Sequence, residues 1–314
     1  MFSFLRGLLP AKTFASDPAS QPIMSAQDIQ DWAQDLEHFW GSLPPSQRLS
    51  ELALFGDQAS RFRGQGMEYE ESRLYQAGDE LRHLNWRLMA RTGKAFTKRF
   101  QEERQAQWII LLDQRQSMRF ATRGRLKVTQ GLRMAGWLAW LAQQQRIQIQ
   151  AIGFGENLTM TPVIQGMNLY PQLMHTLALP CPPKPDAKEP SLADVLNQLK
   201  VHWPKGSRIW MISDFHDLQA NDQAWLSAMN EQWHLTAVWI EDPIERQLPA
   251  KQTLQLQAPD DHQAWLLNSE QQAEFNAWVA PERDKHQAWL KQSGVDLITL
   301  QTTDGLREMA RMDT

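Results

Sequence analysis

The chain has 314 residues, with 32 basic and 36 acidic side chains and a formal charge of −4. That length allows one large domain or two ordinary ones, and a hydrophobic content of 42% supports a buried core. The near balance of charge excludes a global electrostatic argument for nucleic acid or membrane. No apolar run approaches the roughly 18 residues that span a bilayer. One cysteine, Cys181, cannot form an internal disulfide, which fits a reducing, cytoplasmic setting.

Residues 1–25 read as a disordered or linker segment. Its apolar start is broken by Arg6 and Pro10, so a frayed terminus is expected rather than a signal or membrane anchor. A helical segment covers 26–58. Ser25 caps its first helix, where Ile29, Trp32, Leu36 and Trp40 recur at helical spacing. A second short helix is expected over 47–56. Residues 59–104 lack helical periodicity, hold glycines at 64, 66, 78 and 93, and read as a small β-rich module.

From 105 to the end, strands alternate with helices, the pattern of a mostly parallel sheet. Strands are expected at 107–112, 147–154, 209–213, 235–240 and 295–300, with an antiparallel edge strand over 157–163. Helices are expected at 125–145, 169–178, 191–199, 222–232, 270–292 and 304–312. Prolines make 180–190 a loop, and an insertion near 242–268 holds an expected β-hairpin over 250–267. The 14 tryptophans are expected mainly in cores and interfaces.

Residues 108–118, WIILLDQRQSM, are the most informative stretch. Five apolar residues without alternation mark a strand covered on both faces. Asp113 stands where that strand ends, the edge at which open α/β sheets bind ligands. Asp113 and Ser117, together with Ser191 at a helix start and Asp214 at a second strand end, are oxygen ligands suited to Mg²⁺ or Mn²⁺. The competing reading makes the serines helix caps and the aspartates loop residues. Arg115 occupies the position where an aspartyl phosphotransferase needs a second carboxylate, which counts against that chemistry. DFHD at 214–217 has no further ligand partner and reads as a surface loop. No phosphate-binding glycine loop is present.

A second stretch, from Arg82 to Arg99, holds six Arg or Lys, no acidic residue, and Trp86 and Phe96. Such a patch can hold phosphates and stack bases. A solvated basic face is the plainer account, with Gly78-Asp79 a turn and Asn85 and Trp86 capping or packing groups.

These two stretches together resemble the bacterial domain of unknown function 58 family. Tyr75, Gly78, Asp79, Arg82, Leu84, Asn85, Trp86, Ala90, Arg91, Thr92 and Gly93 follow its signature. Glu102, Glu103, Asp113, Ser117 and Met118 continue it, and EDPIERQLP at 241–249 is similar to a later motif. The resemblance implies a doubly wound, von Willebrand factor A-like domain with a metal-ion-dependent adhesion site. Asp113, Ser117 and Asp214 match that site. Ser191 stands where Thr is usual, and Arg115 stands where a serine ligand belongs.

That exchange implies weak or lost Mg²⁺ or Mn²⁺ binding: either Arg115 swings to solvent and leaves a weakened site, or its guanidinium pairs with Asp113 or Asp214 and replaces the metal. The resemblance also implies a cytoplasmic, non-enzymatic adaptor that links a MoxR-type AAA+ ATPase to a client protein. Partner contacts are then expected at Arg115, Asp79, Arg82, Asn85, Trp86 and Arg91. A nucleic-acid-binding module using 82–99 and a metal-dependent phosphohydrolase are the alternatives.

Overall fold

The computed structural model describes residues 22–44, 67–76, 84–102, 107–180, 188–248, 254–257 and 264–310. The second short helix expected over 47–56, Cys181, and most of residues 1–25 lie outside them. The chain divides into two compact units, Asp57–Ala106 and the remainder.

The larger unit opens with α1 (Ala26–Ser42), whose N-cap Ser25 forms a reciprocal capping box with Asp28. After the smaller unit come β3 (Trp108–Asp113), α3 (Lys127–Gln145), β4 (Ile149–Phe154), β5 (Leu158–Met160) and α4 (Leu169–Leu177). Then follow α5 (Leu192–Leu199), β6 (Arg208–Ser213), α6 (Asp222–Asn230), β7 (His234–Glu241) and α7 (Pro243–Arg246). The chain continues through β8 (Leu254–Gln257), β9 (Ala264–Leu267), α8 (Ser269–Gln292), β10 (Asp296–Gln301) and α9 (Leu306–Ala310). Strands β8 and β9 pair as an antiparallel hairpin.

Six strands form one sheet in the order β10-β7-β6-β3-β4-β5. All neighbours are parallel except β5, which pairs antiparallel to β4 at the edge. Strand β5 spans three residues rather than the expected seven. Central β3 is buried along its whole length, as its unbroken apolar sequence requires.

Its side chains divide by parity between the two faces. Trp108, Ile110 and Leu112 pack with Leu36 of α1, Leu132 and Trp137 of α3, Leu173 of α4 and Met309 of α9. Ile109 and Leu111 pack with Leu196 of α5, Leu226 of α6 and Leu290 of α8. Helices therefore flank the sheet on both faces. From β3 the chain steps to β4 on one side, and later returns to β6 on the other. The crevice between the carboxyl ends of β3 and β6 is thus the topological switch point, where such sheets place their sites.

The smaller unit contains β1 (Met67–Leu74), α2 (Trp86–Thr92) and β2 (Phe96–Glu102), with β1 and β2 antiparallel. Helix α2 was not anticipated from periodicity. Its signals are local. The Asn85 side chain accepts from the Leu88 N–H at 3.1 Å, and Gly93 closes the helix with φ +70°.

Helix α3 approaches the sheet closely at Gly131. A methyl added there would lie 2.8 Å from Leu112 Cδ1 and 3.0 Å from Ile212 Cγ2, both fully buried. Gly131→Val is expected to cost about 1–3 kcal/mol through overpacking. The check is a lowered urea midpoint at unchanged m-value.

Candidate functional site

The switch-point crevice is organised by one arginine. Asp113 ends β3 with its side chain fully buried. Its carboxylate accepts from the Arg115 backbone N–H at 2.9 Å, from Arg115 Nε at 3.0 Å and from Arg115 Nη2 at 2.7 Å. Ser213 Oγ, at the end of β6, donates to it at 2.6 Å. On its other side the guanidinium meets Asp217, with Nη1 at 2.5 Å and Nη2 at 3.0 Å. Nη1 also donates to the Pro190 carbonyl at 3.3 Å. Asp217 accepts the Leu192 N–H at 3.0 Å, which ties it to the start of α5.

Arg115 is only 3% exposed, and its Phe154-facing side lies 5.2 Å from that ring's centroid. Burial alone would lower its pKa. The Asp113 and Asp217 carboxylates more than reverse this, so the guanidinium stays charged.

A second ionic cluster lies beside the first. Lys127, at the first turn of α3, is fully buried and donates to Asp214 at 2.8 Å and to Glu245 at 2.6 Å. Asp214 also faces His216 Nδ1 at 2.8 Å. Phe215 between them adopts φ +49° and is wholly buried, so the chain turns sharply there. Burial raises the Asp214 pKa, but Lys127 and His216 outweigh it and hold the carboxyl well below its usual range.

Asp242 and Glu245 come from the EDPIERQLP motif. Asp242 caps α7, accepts the Thr122 N–H at 2.8 Å and the Thr302 hydroxyl at 3.1 Å, and also accepts the Thr122 hydroxyl. The motif therefore fastens the loop before α3 to the end of β10.

In front of Arg115 lies a cleft of about 590 Å³, lined among others by Gln116, Ser117, Glu189, Ser191, His216 and Asp217. Glu189 accepts the Gln116 N–H at 3.0 Å and pairs with Arg119 at 3.2 Å. Ser117 Oγ is buried and, among the described residues, has no hydrogen-bond partner.

The four residues expected to ligate a metal reach this edge but do not form one ligand set. Asp113 is held in the arginine fork. Asp214 turns toward Lys127 and His216. Ser191 spends its hydroxyl on a capping box with Asp194, at 2.7 Å. Among the described residues no group of three or more His, Cys, Asp or Glu is arranged to hold a metal. The Arg115 guanidinium, a permanent cation, lies between the Asp113 and Asp217 carboxylates.

Of the two carboxylates expected to pair with Arg115, Asp113 does so; the second partner is Asp217, while Asp214 turns to Lys127. One expectation needs correction. DFHD is not a surface loop, since Asp214 is 8% exposed and Phe215 is fully buried. Sequence reasoning missed Lys127, Glu189, Asp217 and Glu245. Of these, Asp217 had a signal in the DFHD cluster and Glu245 in its motif. Lys127 and Glu189 resemble ordinary surface charges in sequence.

The remaining expected partner residues lie in the smaller unit. Asn85 caps α2. Trp86 is 63% exposed, and Arg91 is exposed in the last turn of α2. Asp79 and Arg82 fall outside the described residues.

A family model described as "Protein of unknown function DUF58" matches residues 71–288. Uncharacterized proteins of Mycobacterium bovis (Mb1516) and Mycobacterium tuberculosis (Rv1480) are each 24% identical over 262 residues, covering 82% of this chain and 82% of the relative. Similar solved structures include the conserved hypothetical protein BatB from Bacteroides thetaiotaomicron. It shares 15% identity at a TM-score of 0.42, covering 66% of this chain and 98% of that one. An aerotolerance-related membrane protein from Bacteroides fragilis, carrying multiple mutations to serines, shares 11% identity at a TM-score of 0.39. That match covers 62% of this chain and 91% of the other.

Two outcomes follow from the ionic clusters. Arg115→Met leaves the buried Asp113 charge uncompensated and is expected to cost about 3–5 kcal/mol. Adding Asp113→Asn should recover part of that loss, as measured by chemical unfolding of the single and double variants.

The second outcome concerns pH. Burial alone would lower the His216 pKa, yet Asp214 beside it raises it overall, with Asp217 adding to the rise and Arg115 opposing it. A raised folded pKa gives stability that is complete below the unfolded value of about 6.5 and is lost as pH rises through the folded value. Unfolding midpoints should therefore fall as pH rises from about 6.5 through the folded value, and His216→Gln should flatten the dependence there.

Proposed function

This chain belongs to the DUF58 family of proteins of unknown function, and we propose that it is a non-enzymatic interaction module whose docking site needs no divalent cation. The observation that carries this reading is the Arg115 guanidinium bridging Asp113 and Asp217 at the switch point. A metal at such a position neutralises clustered carboxylates and offers open coordination sites to a partner. Arg115 performs the first task and withholds the second, because its N–H groups are directed at Asp113, Asp217 and the Pro190 carbonyl.

The partner then meets the rim of the cleft rather than the cation behind it. Gln116, Lys188, Glu189 and His216 supply that rim with donors, acceptors and charges of both signs. Ser117 is a candidate nucleophile by residue type alone. Among the described residues its hydroxyl has no base within hydrogen-bond reach, and activation requires one. That supports binding over catalysis.

By the motif resemblance set out above, the partner class is a MoxR-type AAA+ ATPase, with this chain linking it to a client protein. Charges at the rim make the contact salt-sensitive.

The test mixes the purified full chain with the MoxR-type ATPase of the same organism. Co-elution should persist in EDTA, weaken with rising salt, and fail in a Glu189→Lys variant that retains its fold. Separate elution at low salt, or loss of the complex on adding EDTA, sinks the proposal. Calorimetry offers an independent check: Mg²⁺ or Mn²⁺ titrated into the free protein should give no saturable heat.

A further inference from the structure

The seam between α1 and α3 repeats itself with one component exchanged. Near its start, the Arg133 guanidinium lies 3.8 Å from the centroid of the Trp32 ring, and Trp32 Nε1 donates to the Arg133 carbonyl at 3.1 Å. Two helical turns further on come Trp40 on α1 and Trp140 on α3. Their rings meet at 66° with centroids 5.1 Å apart, forming a corner. Trp137 stacks behind Trp140 at 5.9 Å and also meets the edge of Trp40 at 6.3 Å, so the corner is rigidly backed.

Here, among the described residues, no side chain plays the part that Arg133 plays on Trp32. A groove of about 460 Å³ opens instead, walled by Trp40, Trp140, Tyr170 and Pro171, with the Glu37 carboxylate at its lining. Tyr170 is fixed in place, because its hydroxyl donates to the Ile29 carbonyl at 3.0 Å. Glu37 is exposed, and among the described residues no cation pairs with it.

We infer that this groove is a docking site for an arginine side chain presented by a partner protein. Indole faces attract a cation, and a carboxylate beside them adds charge-assisted hydrogen bonds. Arginine fits better than lysine because its guanidinium is planar. It stacks on an aromatic face while its fork engages a carboxylate in its own plane. The molecule already sets a guanidinium over an indole face at Trp32. The groove shares no lining residue with the cleft at Arg115, so the two sites stand or fall separately.

The experiment uses the ¹⁵N-labelled full chain and two probes, N-acetyl-arginine methylamide and its neutral citrulline counterpart. Indole N–H signals of Trp40 and Trp140, assigned with Trp40→Phe and Trp140→Phe, should shift with the arginine probe and not with citrulline. Glu37→Gln, an exposed substitution that leaves the aromatic walls intact, should weaken the arginine response about tenfold. An equal response to citrulline, an unchanged response in Glu37→Gln, or no shift of either signal up to about 20 mM probe would overturn the inference.

Discussion

A buried carboxylate has to be compensated, and here Asp113 is compensated by a residue two positions along its own chain. An isolated ion at that depth costs several kcal/mol after relaxation, so Asp113 without Arg115 would not sit where it does. The guanidinium in turn needs more than one carboxylate, and Asp217 supplies the second. Through these contacts the ends of β3 and β6, the loop at Pro190 and the start of α5 become one unit. The cleft takes its shape from that unit.

Lys127 repeats the principle one layer away. Buried beside Asp214 and the partly exposed Glu245 and His216, it joins the first turn of α3 to the end of β6 and to α7. Asp242 extends the network to Thr122 and Thr302 by hydrogen bonds without any cation. A motif recognised only by its letters, EDPIERQLP, thereby acquires separate physical duties: Asp242 caps and clamps, and Glu245 neutralises. Breaking a network of this kind from one side leaves charges stranded, so its members are expected to be strongly non-additive in stability.

Much of the sheet was legible because its cause is local. The apolar run from Trp108 to Leu112 could only be a covered strand, and α1 announced itself by its cap and by Trp32, Leu36 and Trp40. The site was legible in place but not in composition. Asp113 and Asp214 mark strand ends in the sequence. Whether they face a metal, an arginine or a lysine depends on pairings such as Lys127 with Asp214, 87 positions apart. Such pairings leave no periodic trace. Helix α2 failed for the opposite reason: at seven residues it is too short for periodicity, and only Asn85 and Gly93 speak for it.

The backbone between Asp113 and Arg115 has one further meaning. A dissolved ion occupies its site for a fraction of the time set by its concentration and release rate. A guanidinium held on the same chain has no release step, and its local concentration is fixed by a tether one residue long. Chelation, starvation for a trace element, or competition among ions therefore has no purchase on the charge behind this cleft. Its electrostatic state is set at translation.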